Sequence, residues 1–325
     1  MHIFINCGDP NGIGPEVTLK ALAELPQKKR SHTILAGSYN VLQVINKMLG
    51  EPLALERVES LDDAKKVEGI PVLEPKGALD FQPSYGLTAV DSGGISGRGI
   101  VLGVAACMNG GAAALVTAPS SKEALHLAGF HYPGQTEMIA SLCRAARFIM
   151  ILAAGKLRVG IVTTHVAVRD VSELLRRSLV RDKISILHET VINWFRVDNP
   201  RLAVTSLNPH ASEGGLFGWE EEEVIIPAIE DARSDGVLVE GPFPADTLFP
   251  RWKDFDAILA MYHDQGMIPV KMAGFGRAVN ATGGLPFPRT SPDHGTAFDI
   301  AGKMIADPGS MKCAIEAAFR FAGRH

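Results

Sequence analysis

Residues 157–165 read LRVGIVTTH, an apolar run that ends in two threonines and a histidine. Residues 202–210, LAVTSLNPH, and residues 257–263, AILAMYH, repeat this order of a short apolar run, polar residues and a histidine. Short apolar runs of this kind are typical of strands that are buried on both faces of a parallel sheet. The three stretches therefore predict an α/β fold in which helices cover a largely parallel sheet.

The rest of the chain alternates between apolar runs and segments with helical periodicity. Further strands are predicted at residues 2–7, 33–36, 112–117 and 148–153. Helices are predicted at residues 15–25, 41–49, 99–108, 171–194 (with a break near Val180) and 219–234. The acidic run at residues 220–223 opens the last of these helices, and we expect it to be a solvated face favoured by the helix dipole.

Composition and charge narrow the class of protein. The chain has 325 residues, of which 46% are hydrophobic and 21% charged, ordinary values for a globular enzyme. A net charge of −4 with scattered Lys and Arg gives no support to nucleic-acid binding, and no apolar run is long enough for a membrane span. Strand-like residues begin at His2 without a leader pattern, so a cytoplasmic location is expected. The expected partners are a small molecule and a second copy of the chain.

The three histidines share one topological position. His165, His210 and His263 each follow the carboxyl end of a predicted parallel strand, which is the edge where open α/β sheets bind ligands. Three protein ligands and an open position are typical of a catalytic metal site, whereas a lone histidine here would more simply be a hydrogen-bonded loop residue. The four cysteines are far apart and argue against a cysteine-based zinc site. The pattern predicts one divalent ion, with zinc, magnesium, cobalt and manganese all left open.

Two carboxylates and two cationic residues accompany these histidines. Asp246 and Asp264 are expected to orient the imidazoles, to add a ligand or to act as a base. Lys271 and Arg289 suit a phosphate or carboxylate, and Arg289 lies in a glycine- and proline-rich stretch typical of a ligand loop. The opening GDPNGIGPEV, residues 8–17, allows close approach of a ligand but is not a G-x-G-x-x-G fingerprint.

Seven segments together resemble the 4-hydroxythreonine-4-phosphate dehydrogenase family of pyridoxal phosphate biosynthesis, within the isocitrate/isopropylmalate dehydrogenase-like superfamily. They follow the family's order from Gly8 to Gly302: GDPNGIGPEV, TAPSSKEAL, TTHVAVRDV, NPHASEGGLFG, GPFPADTLF, YHDQGMIPVK and GLPFPRTSPDHGTAFDIAG. The resemblance implies a two-lobed fold with the active site in the interlobe cleft. The lobes would be residues 1–130 with 245–325 on the cofactor side, and residues 131–244 on the dimerisation and metal side.

The resemblance also implies roles for individual residues. His165, His210 and His263 match the metal ligands; Gln135, Thr136, Lys271, Asn280 and Arg289 match the substrate positions; His294, Gly295, Thr296 and Ala297 match the loop that holds the adenosine end of NAD or NADP. The implied assembly is a homodimer with its active site at the subunit interface. The implied reaction is metal-dependent oxidation of 4-phosphohydroxy-L-threonine to the 3-oxo acid, followed by decarboxylation, with Lys271, Asp246 or Asp264 relaying the proton.

Two positions depart from the family pattern. Gln135 stands where the family usually has a histidine in Gly-His-Thr-Glu, and Ser212 stands where a glycine is more usual. Related branches act on phosphorylated four-carbon sugar acids or on carboxylated cis-dihydrodiols, so these remain alternative substrates. A metal hydrolase with the same three histidines and an inactive ligand-binding homologue are the alternatives from other classes.

Overall fold

The chain forms two compact units. The computed structural model describes residues 1–274 and 276–323. The first unit consists of Met1–Ala146 and Leu285–His325, and the second consists of Arg147–Gly284. Each unit is built on strands with helices between them, so the predicted α/β class is confirmed.

Among its described residues, the first unit contains six parallel strands. Along the sheet their order is β3 (Leu55–Val58), β4 (Ile70–Leu73), β2 (Thr33–Ala36), β1 (Ile3–Asn6), β5 (Leu115–Thr117) and β12 (Arg289–Pro292). The central strands are buried along their whole length, as expected for a sheet covered on both faces. The helices of this unit are α1 (Gly14–Ala23), α2 (Gln27–Arg30), α3 (Tyr39–Met48), α4 (Val90–Met108), α5 (Lys122–Leu127), α6 (Gln135–Leu142) and α12 (Gly309–Ala322).

The second unit contains a mixed set of strands. Their order is β11 (Val279–Gly283), β6 (Ile149–Ala154), β7 (Leu157–Thr163), β10 (Ala257–Tyr262), β8 (Leu202–Thr205) and β9 (Val239–Phe243). The pairs β11–β6 and β6–β7 are antiparallel, whereas β7, β10, β8 and β9 run parallel. The helices are α7 (Val168–Leu174), α8 (Arg177–Asn193), α9 (Ile226–Ser234), α10 (Ala245–Leu248) and α11 (His263–Gly274), and a π-helical turn, Glu221–Ile225, precedes α9.

The borders of the units differ from the expected ones near residues 130 and 245. Strand β10 pairs with β7 on one side and with β8 on the other, so residues 245–284 belong to the second unit. His263 therefore lies in the same unit as His165 and His210, instead of on the expected cofactor side. The roles expected for the two lobes, cofactor binding in one and dimerisation and metal binding in the other, stay predictions, as does the position of the active site. In the described part of the chain, no helix is both long and apolar enough to cross a membrane.

Candidate functional site

The three histidines lie at the carboxyl ends of three neighbouring parallel strands. His165 follows β7 by two residues, and His263 comes directly after β10 and opens α11. His210 follows β8 and lies in a short 3₁₀ segment, Pro209–Glu213. Since β10 lies between β7 and β8, the expected placement of all three at one edge of the sheet is confirmed.

His165 and His263 form a pair. Their ring centroids are 5.9 Å apart, and both rings line a cavity of about 330 Å³ together with Thr164, Val168, Tyr262 and Asp264. The Nδ1 of His263 donates to Oδ1 of Asp264 at 2.7 Å, which leaves Nε2 as the nitrogen with a free lone pair. A carboxylate on the far nitrogen is the usual way in which a metal-binding imidazole is oriented. The imidazole nitrogens of this pair, together with the open cavity that they line, fit a divalent ion.

His210 is not part of this pair. Its ring lies 6.4 Å from the ring of Phe217, and no group of three metal-ligating side chains occurs among residues 1–274 and 276–323. The backbone around His210 is unusual: His210, Ala211, Ser212 and Glu213 all have left-handed φ values between 48° and 64°. The structure thus brings two of the three predicted ligands together, and the role of His210 as the third stays a prediction.

Two glutamates that sequence reasoning placed in solvent hold the start of this turn. Glu221 is 1% exposed, and its carboxylate accepts from the backbone N–H of Leu207 at 2.8 Å and from that of Asn208 at 2.7 Å. Glu220 is 6% exposed and accepts from Nδ2 of Asn208 at 2.8 Å and from the hydroxyl of Ser172. The expectation of a solvated face was therefore wrong for these two, because a buried carboxylate is stable where donors surround it. Burial alone would raise the pKa of Glu220, but the hydrogen bonds from Ser172, Asn208 and Trp219 outweigh it and lower that pKa.

The first unit contains a second polar cluster, which is centred on Arg289 at the start of β12. Arg289 is 3% exposed, and its Nη2 donates to Oγ1 of Thr117 at 2.6 Å and to Oε1 of Gln135 at 3.1 Å. Its Nη1 donates to Oγ1 of Thr136 at 3.2 Å. Gln135 and Thr136 are the first residues of α6, and Thr117 is the last residue of β5, so the end of a strand and the start of a helix meet at the guanidinium.

Burial changes the electrostatics of this cluster. It lowers the pKa of Arg289 to about 10, against which the charge of Glu137 acts in the opposite direction. The guanidinium stays charged at neutral pH, in a place with little water to screen it. Such a cation beside two hydroxyls and the N-terminus of a helix suits an anionic group, as expected from the sequence.

The other expected substrate and proton-relay residues lie in the second unit. Asn280 is on β11, and its Oδ1 is buried without a hydrogen-bond partner among the residues that the structure describes. An unsatisfied buried acceptor of this kind fits a donor from a ligand. Lys271 is exposed two turns after His263 on α11, and Asp246 is exposed on α10, just beyond the carboxyl end of β9.

The expected cofactor loop packs on the glycine-rich opening of the chain. The N–H of Ile13 donates to the carbonyl of Thr296 at 3.0 Å, and a Cβ on Gly12 would lie 3.0 Å from that oxygen. The Nε2 of His294 is buried, and within the described ranges it has no hydrogen-bond partner. This orphaned nitrogen in a loop against a glycine fits a polar ligand such as the adenosine end of a nicotinamide cofactor. Within the glycine-rich opening itself, Asp9 is fully buried, and burial raises its pKa.

Comparison with known proteins identifies the family to which this chain belongs. Residues 29–318 match the model of a family described as pyridoxal phosphate biosynthetic protein PdxA. The chain belongs to the PdxA family.

Individual members of the PdxA family are similar over their whole length. A 4-hydroxythreonine-4-phosphate dehydrogenase of Geobacter metallireducens is 42% identical over 99% of this chain and 95% of its own. A D-threonate 4-phosphate dehydrogenase of Cupriavidus necator is also 42% identical, over 99% of this chain and 97% of its own. The crystal structure of 4-hydroxythreonine-4-phosphate dehydrogenase from Klebsiella pneumoniae has a TM-score of 0.88 and 38% identity, covering 99% of this chain and 98% of that one. The expected reaction class is thereby confirmed: the chain is an oxidoreductase of the dehydrogenase type.

The two departures from the PdxA pattern have local structural explanations. Gln135 accepts from Arg289, and its Nε2 donates to the carbonyl of Ala118 at 3.2 Å, so both ends of the amide are used. Ser212 has a φ of 64°, a conformation that glycine adopts freely, and its Oγ accepts from the N–H of Gly215 at 3.3 Å. Gln135 therefore adds no second titratable cation to the Arg289 cluster. Ser212 keeps the left-handed turn.

Proposed function

We propose that this chain catalyses the NAD(P)-linked oxidation of 4-phosphohydroxy-L-threonine to the 3-oxo acid, followed by decarboxylation, as a step of pyridoxal phosphate synthesis. The observation that carries the proposal is the full-length, 42% identity with a dehydrogenase of that name. In this reaction the hydride on C3 passes to the nicotinamide, the hydroxyl proton passes to a base, and the β-keto acid then loses CO₂.

The substrate's anionic end would bind the Arg289 cluster. Arg289 is already held by Thr117, Thr136 and Gln135, so little side-chain entropy would be lost when a phosphate or carboxylate binds. The α6 N-terminus adds backbone N–H groups of favourable polarity. In the second unit, Asn280 offers an unused acceptor, and Lys271 adds a further cation for an acidic substrate.

The reacting alcohol is assigned to the histidine pair. His165 and His263, with His210 as the predicted third ligand, would hold a divalent ion that supplies Lewis acidity toward the alcohol oxygen. Asp264 fixes the His263 ring through Nδ1, so that Nε2 keeps its lone pair for the ion. Asp264, Asp246 and Lys271 remain the candidates for accepting the alcohol proton. NAD or NADP would bind with its adenosine end at His294, Gly295, Thr296 and Ala297 and supply the hydride acceptor.

A second candidate substrate is D-threonate 4-phosphate, which differs in having a hydroxyl in place of the amine. The equally similar dehydrogenase of Cupriavidus necator favours it. Both candidates carry a terminal phosphate and a secondary alcohol, and both would use the same residues in this chain.

The test is a spectrophotometric assay of NAD(P)H formation with purified protein and an added divalent ion. The panel comprises 4-phosphohydroxy-L-threonine, D-threonate 4-phosphate and a carboxylated cis-dihydrodiol, each with and without EDTA. We expect the highest kcat/KM with 4-phosphohydroxy-L-threonine and its loss in EDTA. A higher value with another member of the panel would overturn the substrate. Metal-dependent hydrolysis without nicotinamide would favour the hydrolase class, and silence on the whole panel would favour an inactive homologue.

The proposed assembly is a homodimer. Large apolar side chains stay exposed on α7 and on the segment after the left-handed turn, including Val168 at 72% and Leu216 at 73%. These two segments are joined by the hydrogen bond between Ser172 and Glu220, so the apolar side chains belong to one region of the second unit. Exposed apolar surface of this kind favours association with a second copy. Leu216→Arg is expected to shift the protein toward monomers in analytical ultracentrifugation, whereas Leu79→Arg, at an exposed position of the first unit, should leave the dimer intact.

A further inference from the structure

The side chain of Gln265 connects the ends of two strands. It lies in the first turn of α11, two residues after His263. Its Oε1 accepts from Oγ1 of Thr205 at 2.7 Å and from the N–H of Met261 at 2.8 Å, and its Nε2 donates to the carbonyl of Ser206 at 2.7 Å. Three hydrogen bonds thus join the end of β8 to the end of β10.

These bonds begin where the backbone pairing of the two strands ends. The last paired residues of β10 and β8 are Leu259 and Val204. Beyond that pair, Gln265 satisfies polar groups that a strand neighbour would otherwise satisfy. The segments that it joins continue directly into His263 on one side and, through Leu207–Pro209, into His210 on the other.

A second polar contact on the opposite side of β10 completes the connection. The hydroxyl of Thr163, at the end of β7, donates to the carbonyl of Met261 at 2.8 Å. Met261 is therefore held by Thr163 through its carbonyl and by Gln265 through its N–H. Of these two side chains, Gln265 is the one that reaches the strand preceding His210.

We propose that Gln265 is a positioning residue that sets the spacing between the His210 and His263 segments. The ion affinity of the site then depends on a side chain that does not touch the ion. This second consequence rests on the proposed function, since it needs an ion shared by the histidines. Groups that orient metal ligands in this way alter metal affinity about ten- to hundredfold when they are replaced.

The test compares Gln265→Met with a matched control, Gln43→Met. Methionine keeps the length of the side chain and removes its hydrogen bonds. Gln43 is likewise half-buried on a helix, and it donates to the hydroxyl of Tyr39 in the first unit. The first measurement is the NMR spectrum of metal-free, full-length protein labelled at the Cε1 of histidine, with resonances assigned from single His→Gln variants. The second is the dissociation constant for Co²⁺, followed through its visible absorption.

We expect the His210 and His263 resonances to move in Gln265→Met and to stay in place in Gln43→Met. The dissociation constant for Co²⁺ is expected to rise about ten- to hundredfold in Gln265→Met only. Gln265→Glu keeps the acceptor but sets a carboxylate oxygen against the carbonyl of Ser206, so both histidine resonances should move in this variant as well. If Gln265→Met does not fold, Thr205→Val removes one of the three bonds and should move the His210 resonance alone.

Unchanged resonances of both histidines in Gln265→Met would overturn the proposal. Moved resonances with an unchanged Co²⁺ dissociation constant would overturn its second consequence. A wild-type protein that binds no Co²⁺ would instead contradict the metal in the proposed function, and the resonances would still decide whether Gln265 positions the two segments.

Discussion

The Arg289 cluster and the histidine edge of the sheet are built in opposite ways. Arg289 is buried and bonded to three side chains, each of which lies on regular secondary structure. His165 and His263 instead line an open cavity, and His210 lies apart from them on a turn of unfavourable backbone conformation. The cluster is thus already formed in the free chain, whereas the histidine edge has only two of its three predicted ligands together. The two sites should therefore respond differently to substitution. Changes in the cluster should alter substrate binding and stability together, whereas changes at the histidine edge should alter metal binding and turnover with little effect on stability.

The largest effect is expected for removal of the histidines. His263→Ala and His210→Ala should each lower metal-dependent kcat about a hundredfold or more, because several kcal/mol of transition-state stabilisation depends on the ion. The melting temperature should change little, since neither ring belongs to the apolar core. His188→Ala, a half-buried histidine on α8, is the matched control and should stay active. A fully active His210→Ala would remove His210 from the ligand set and leave the pair as the structure shows it.

Arg289→Lys should show the combined response of a preformed site. A lysine cannot reach Thr117, Thr136 and Gln135 at once, so kcat/KM should fall about ten- to hundredfold. The melting temperature should fall too, because the buried hydroxyl of Thr117 loses a partner. Arg147→Lys is the control, since the ion pair between Arg147 and Asp182 is exposed and contributes little. A drop in kcat/KM with an unchanged melting temperature would contradict the description of this cluster as preformed.

Gln135→His tests the departure from the PdxA pattern with a smaller effect. A protonated imidazole would add positive charge beside Arg289, but the neighbouring guanidinium lowers the pKa of that imidazole. The KM for 4-phosphohydroxy-L-threonine, relative to wild type at the same pH, should therefore fall severalfold at pH 6 and hardly at pH 8. Equal ratios at the two pH values would mean that charge at this position does not influence binding.

The smallest effect concerns Asp9, a buried carboxyl of the first unit. Because burial raises its pKa above that of the unfolded chain, its favourable contribution to stability is complete only at low pH and is lost as the pH rises through the raised pKa. Asp9→Asn should accordingly increase the free energy of unfolding by about 1 kcal/mol at pH 8 and by progressively less toward pH 4. The control is Asp80→Asn at an exposed position, and a gain that does not depend on pH would contradict the explanation.

The strands that carry the histidines could be predicted because burial on both faces leaves an unmistakable apolar run. Strand β3, Leu55–Val58, could not, since its sequence LERV has two charged residues in four. The first half of α4 was missed because its glycines have low helix propensity; they are tolerated because the helix packs closely on its neighbours, and a Cβ on Gly97 would collide with the ring of Phe130.

The candidate site shows the same limit. Residue types and strand ends predicted that the three histidines lie at one edge of the sheet, and the adjacency of β7 and β10 brings His165 and His263 together there. They could not predict the left-handed turn at His210, since propensity gives no warning of four such residues in a row. They also placed Glu220 and Glu221 in solvent, because a run of charges gives no sign of the donors that a distant loop supplies. One signal was available in the sequence. Asn208 stands before Pro209 in a short polar segment, and the backbone N–H and side-chain amide of such an asparagine need acceptors.

The left-handed turn also restricts which residues can replace Ala211 and Ser212 in the course of evolution. Each non-glycine residue in that conformation costs about 1 kcal/mol, and the cost is highest for side chains that branch at Cβ. Glycine, asparagine and aspartate are the replacements that Ala211 and Ser212 can accept without further strain. We expect selection against valine, isoleucine and threonine at these positions, even where nothing touches a ligand. Among descendants of this sequence, variation at these two positions should stay within small and left-handed-tolerant residues, while the exposed surface around them diverges freely.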